Sequence, residues 1–129
     1  MRGLDNMIIR KIAPAELKVM KFIWDSDTQL ASINITNIMY KRYGWKQTTT
    51  LTLLSRLINK GILSSEKIGK YTYYKAIVMR NEYIKFETEE FICNVFDGSL
   101  VNFLDSLITC EQLTEMEKEY LEIWRYYLK

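Results

Sequence analysis

The sequence predicts a mainly α-helical chain carrying one small β-hairpin, and three observations lead there. Leu53, Leu54, Leu57 and Ile58 recur at helical spacing and give residues 47–60 one apolar face. Asn59-Lys60-Gly61 stops that helix, and two β-prone runs follow with Gly69 between them. Beyond Val78 the pattern turns to helices alone.

The elements follow in order. Residues 14–24 form a first helix: Pro14 suits a first turn, Glu16 sits at the favourable end of the dipole, and Leu17, Met20, Ile23 and Trp24 supply an apolar stripe. Asp25-Ser26-Asp27 breaks it. Ala31-Ser32-Ile33 is a short extended candidate ahead of a second helix at residues 34–43, which turns Ile35, Ile38 and Met39 inward and stops at Gly44. The third helix, residues 47–60, and a hairpin over residues 62–77 complete the order helix, helix, helix, strand, strand. That order is a winged helix-turn-helix, assigned to residues 1–78, with a two-stranded wing.

Residues 80–96 carry Ile84, Phe91, Ile92, Val95 and Phe96, and Asp97-Gly98-Ser99 punctuates them. Leu100, Phe103, Leu104, Leu107 and Ile108 then trace the i, i+3, i+4, i+7, i+8 stripe of an amphipathic helix. Thr114 with Glu117 is a capping-box signature opening a last helix on Met116, Tyr120, Ile123, Trp124 and Tyr127. Three short helices of roughly 50 residues bury too little surface to offset chain entropy alone. Residues 79–129 are therefore expected to be a dimerisation domain, with Leu100, Phe103, Leu104, Leu107 and Ile108 pairing two copies into a homodimer.

Charge divides the chain the same way. Residues 1–75 hold 13 Lys/Arg against 5 Asp/Glu, and residues 76–129 hold 5 against 11. The first half attracts polyanions and the second repels them, so only the first is expected to meet double-stranded DNA. A composition of 48% hydrophobic and 26% charged residues is that of a folded globular protein. No apolar run approaches the roughly 18 to 20 residues of a membrane span. The opening MRGLDNMIIRK lacks a secretory h-region, and a cytoplasmic home is expected. Cys93 and Cys110, without any histidine, suggest two reduced, mostly buried thiols rather than a zinc site or a disulfide framework. No metal and no cofactor is expected.

The third helix keeps Lys46, Gln47, Thr48, Thr49, Thr52 and Arg56 away from its apolar face. Short threonine side chains at a helix start make a poor structural choice and reach phosphates, base edges or thymine methyls. Arg56 either joins them or pairs internally with Glu16. Lys67 and Lys70 put positive charge at the hairpin tip, where Tyr71 is placed to touch a phosphate, while Tyr73 and Tyr74 are expected to pack cross-strand against the helices. Trp45 either wedges the third helix against the domain or donates its indole N–H to a phosphate. The carboxylates from Glu82 onward are spaced like solvated helix faces, so no catalytic constellation emerges and an enzyme is not expected.

These residues resemble the penicillinase repressor (BlaI/MecI) family of winged-helix regulators from Ile12 to Leu128. AELKVMKFIW (residues 15–24) is similar to that family's opening signature. TLLSRLINKGIL (52–63) and GKYTYYKA (69–76) are similar to its recognition-helix end and wing, and GSL (98–100) and EQLT (111–114) to its dimerisation region. The resemblance implies a homodimer on a palindromic operator that represses β-lactam resistance genes, and release by proteolysis of the C-terminal domain after a membrane sensor or protease acts upstream. The family's cut bond is an Asn-Phe pair, which Asn102-Phe103 matches, whereas an ungapped alignment on GSL and QLT puts Ser106-Leu107 at that place. Gln47 and Thr48 replace the family's proline and lysine, and Leu51 stands where a polar residue is common, which leaves the operator sequence open. Related copper-responsive repressors carry a cluster of closely spaced cysteines, unlike Cys93 and Cys110. The alternatives are a same-architecture repressor of another stress or metal regulon, or a winged-helix module that binds protein.

Overall fold

The computed structural model, which describes residues 8–128, opens on a helix where the sequence places one. Helix α1 spans Pro14–Trp24. Ala13 has no side-chain acceptor for the α1 amides, but Glu16 reaches back from the third helical position and accepts the Ala13 N–H at 2.9 Å. Strand β1 is only Leu30–Ala31, and α2, Ser32–Tyr43, begins two residues earlier than its periodicity suggests. Asn34 explains the early start, because its Oδ1 accepts the Ala31 N–H at 3.3 Å and so caps the helix from inside. Ile35 and Met39 are buried as expected, Ile38 is half-buried, and Thr36 takes a buried place instead. Gly44 ends α2 at φ +69°, a left-handed cap that glycine adopts at no steric cost.

Helix α3 spans Gln47–Asn59, and the hairpin consists of β2, Leu63–Ile68, and β3, Tyr71–Ala76. Ile68 pairs with Tyr71, leaving a two-residue turn in which Gly69 comes first at φ +63°. The wing has a third member that periodicity did not reveal: β1 pairs with β3 antiparallel, Leu30 opposite Tyr74 and Ala31 opposite Tyr73, so the sheet order is β1-β3-β2. The extended candidate at Ala31-Ser32-Ile33 overlaps this strand at Ala31 only, because two residues cannot display an alternating pattern and Ser32 and Ile33 already belong to α2. Tyr74 is buried and Tyr73 half-buried, the packing role expected of both. Val19, Met20, Ile35, Met39, Leu54 and Leu57 are the fully enclosed centre where α1, α2 and α3 meet.

Besides Thr36, two polar side chains are buried in this unit. Thr50, fully buried, occupies the apolar row of α3 that continues through Leu53, Leu54 and Leu57, and its hydroxyl has no hydrogen-bond partner. Glu16 is only 2% exposed but is paired: Lys60, at the C-terminal end of α3, donates to its carboxylate at 2.6 Å and to the Lys11 carbonyl at 2.9 Å. Burial pushes the Glu16 carboxyl up, but the Lys60 hydrogen bond, the Ala13 amide and the charges of Lys60 and Arg56 outweigh it and hold the pKa below its ordinary value.

The first compact unit runs to Ile84, six residues past the expected boundary at 78. The start of α4, Arg80–Phe96, is sewn into it. Tyr83 Oη accepts the Ile12 N–H at 2.7 Å and its ring lies 5.8 Å from that of Trp24, whose indole N–H donates to the Val78 carbonyl at 3.0 Å. Arg80 pairs with Asp25.

The second unit holds the rest of α4, α5 (Leu100–Ile108) and α6 (Glu115–Tyr127). Asp97 and Gly98 turn the corner with φ of +52° and +79°. Ser99 caps α5 by accepting the Asn102 N–H, and Thr114 and Glu117 form the reciprocal capping box the sequence announced, with bonds of 3.1 and 2.7 Å. Phe91, Phe96 and Phe103 make an edge-to-face triangle with centroids 5.4, 6.2 and 5.5 Å apart. The two thiols depart from expectation: Cys93 is exposed on α4 and Cys110 is only partly covered, because the small unit has little interior to offer.

Two stability outcomes are expected. Glu16→Gln should cost about 1–2 kcal/mol at neutral pH by weakening a charge-assisted bond. A carboxyl with a lowered folded pKa stabilises fully above its ordinary value of 4.5 and loses that contribution as pH falls through the lowered value, so wild type and variant should converge in acid by denaturant titration. Thr50→Val, which removes an unbonded buried hydroxyl at nearly constant volume, should raise stability by about 1 kcal/mol in the same titration.

Candidate nucleic-acid interface

The presentation of α3 is set by what lies behind it. Leu53, Leu54 and Leu57 fix one side in the core, and the 3.6-residue period then leaves Lys46, Gln47, Thr48, Thr49, Thr52 and Arg56 exposed, as expected. Thr48, Thr52 and Arg56 fall on one row at i, i+4, i+8. Glu16 takes Lys60 as its ion-pair partner, and Arg56 acts on that carboxylate only through its charge while its own side chain faces solvent. Lys46 is the N-cap residue with extended backbone (ψ 153°) and no side-chain cap bond, so the first amides of α3 and the positive end of its dipole point outward without a carboxylate in the first turn.

Trp45 is held rather than free. Its ring lies 4.9 Å from that of Tyr43, and the Lys18 ammonium sits 4.6 Å from the Tyr43 centroid and 6.0 Å from that of Trp45. The wedge reading of Trp45 is thus supported by its neighbours. Lys18 and Tyr43 join this corner of the interface and were not among the expected residues. Lys18 reaches it from α1, 27 positions earlier in the chain, and no sequence pattern announces a contact of that kind.

On the wing, Lys67, Lys70 and Tyr71 are all exposed, Tyr71 to 52%. Lys67 stands opposite Thr72, and Lys70 is the second turn residue, so both ammonium groups stand at the tip. The face combines an outward helix N-terminus, hydroxyls, one amide and cations on two elements. Such a set offers phosphate contacts from the cations and base-edge contacts from the helix. Among the described residues no group of three or more His, Cys, Asp or Glu is placed to hold a metal ion. No single helix among them is long and apolar enough to cross a membrane.

The family model described as penicillinase repressor matches residues 12–124. This chain belongs to the penicillinase repressor family. The penicillinase repressor of Bacillus licheniformis is 31% identical over 112 residues, covering 84% of each chain. The methicillin resistance regulatory protein MecI of Mammaliicoccus sciuri is 31% identical over 119 residues, covering 92% of this chain and 94% of the relative. Among solved structures, the monomeric form of Bacillus licheniformis BlaI in complex with the blaP half-operator matches with a TM-score of 0.52 at 33% identity, over 59% of this chain and 92% of that one. The mainly helical, winged-helix reading of the fold stands with the family.

The wing is expected to act through phosphates. Lys70→Ala should weaken binding to every duplex alike and lower the slope of log affinity against log salt by about one, measured by fluorescence anisotropy across a salt series.

Proposed function

We propose that this chain is a cytoplasmic transcriptional repressor that binds a palindromic operator as a homodimer and controls genes of β-lactam resistance. The observation that carries the reading is the outward N-terminus of α3, with its threonines and Gln47, beside a wing tipped by Lys67 and Lys70, in a chain whose family includes a BlaI bound to a half-operator. In this reading Lys46, Gln47, Thr48, Thr49, Thr52 and Arg56 meet the groove and its edges, Trp45 braces the start of α3 against Tyr43 and Lys18, and Lys67, Lys70 and Tyr71 meet the backbone.

The second unit supports a dimer in a different way from the apolar stripe alone. Leu104 is only 2% exposed in a single chain and is therefore already covered, while Leu107 lines an open groove of about 380 Å³ with Leu113, Tyr120, Leu121 and Trp124. The uncovered apolar surface extends to α6, where Ile123 and Trp124 are 52% and 61% exposed and no residue is buried. An amphipathic helix whose apolar face encloses nothing gains its stability from a partner surface. On α5, Leu100 is 44% exposed and Phe103 and Ile108 are half-buried, so part of the stripe is left for the partner copy in this reading.

Release by proteolysis fits the placement of Asn102-Phe103. That bond lies in the first turn of α5, where Phe103 supplies one corner of the phenylalanine triangle. A cut there, triggered upstream by a membrane sensor or protease, detaches α5 and α6 and leaves the DNA-reading unit whole.

The full chain carrying Ile123→Asp and Trp124→Asp should sediment as a monomer, and a chain with a specific protease site inserted after Asn102 should lose its dimer on cutting. On a duplex with two half-sites, both should need at least tenfold more protein for half-occupancy, with half-site affinity retained. A sedimentation profile that stays dimeric in both cases would overturn the proposed assembly.

A further inference from the structure

The hydroxyl of Thr52 is not free to read DNA as a donor. Its Oγ1 donates to the Thr48 carbonyl one turn back, at 2.9 Å, although the residue is exposed in the middle of the outward row of α3. A threonine that has committed its one proton to the helix backbone keeps only a methyl group and oxygen lone pairs for a partner. The same bond fixes χ1, so the methyl is presented without further loss of rotamer freedom.

The surroundings favour the methyl. Over the first two turns of α3 the neighbours are Thr48, Thr49 and the half-buried Leu51, and Gln47 is the single amide. Three exposed threonines, each carrying a methyl group, thus stand at the place where the helix would enter a major groove. The base feature that matches them is the C5 methyl of thymine, which lies in that groove and distinguishes T·A from the other pairs by apolar contact.

We infer that Thr52 is a specificity-determining residue that reads a thymine in each operator half-site through methyl–methyl contact. This rests on the DNA-binding reading above and goes beyond it by fixing one residue, one base and one chemical group. Gln47 and Arg56 retain hydrogen-bonding roles on either side of it.

The test uses the full-length protein and a duplex enriched by it from a random pool, with each thymine then replaced in turn by deoxyuridine, which lacks only the C5 methyl. Wild type should lose about fourfold in affinity at one position per half-site, the worth of one buried methyl group. Thr52→Ser, which keeps the hydroxyl and its backbone bond, should bind the thymine and deoxyuridine duplexes equally there, and Thr52→Val should keep the thymine preference. The inference is overturned if Thr52→Ser retains the penalty, if no thymine shows one, or if Thr52→Val loses it, since the oxygen would then be the reading group. A protein that enriches no duplex at all would sink the DNA-binding reading as well, an outcome distinct from each of these.

Discussion

The ammonium of Lys60 is the point on which the geometry of the DNA-reading unit depends. It stands just beyond α3 and binds both the Glu16 carboxylate and the Lys11 carbonyl, so the rear of α3 is fastened to the entrance of α1. Glu16 in turn holds the Ala13 amide. One carboxylate thus caps one helix and anchors another, and its desolvation is offset because Oε1 accepts from both an ammonium and a backbone amide. With the back end fixed and Leu53, Leu54 and Leu57 seated in the core, the outward row of α3 has no remaining freedom of rotation. The positions that face solvent are then a consequence of packing rather than of any property of their own.

That dependence explains what was legible in the chain. The outward face of α3 could be read because its complement is written in leucines at regular spacing, and the wing could be read because Gly69 and two lysines mark its turn. The reciprocal bonds of Thr114 and Glu117 are equally local, and their spacing of three announces them. What stayed hidden is what arises between distant segments. Glu16 reads from sequence as a dipole residue or as a partner for Arg56, but it takes Lys60, 44 residues away. Strand β1 exists only because β3 offers it an edge, and Lys18 belongs to the α3 corner only because the folding of α2 brings Tyr43 and Trp45 beneath it.

The end of the first unit shows the same limit. Composition changes near Val78, and a boundary there is natural when charge and periodicity are the only guides. Packing carries the unit on to Ile84, since Trp24, Val78, Tyr83 and Ile12 form one connected set through an indole, a carbonyl, a phenol and an amide. The first turn of α4 therefore belongs to the DNA-reading unit, and the remainder of that same helix belongs to the second. In the second unit burial fails in the opposite sense: a stripe expected to serve a partner already encloses Leu104 within one chain, while α6 leaves its aromatic residues uncovered. An apolar period predicts that a face will be covered; it does not say by which element.

This division suits the proposed homodimer, in which regulation would act on linkage instead of contact. If a half-site alone binds in the micromolar range, tethering two readers at an effective concentration near millimolar raises occupancy by about a thousandfold, with no new atom touching DNA. Removing the tether removes that factor even when every groove contact is intact. Such a switch requires a reader that outlives the cut, and here the reader's core, its Lys60 anchor and its closing Trp24–Tyr83 contact all lie before Lys85. It also requires that the tether be the weaker structure. A unit that encloses little beyond Leu104 and leans on three phenylalanines meets that requirement, because losing one ring at Phe103 removes two of the triangle's three contacts.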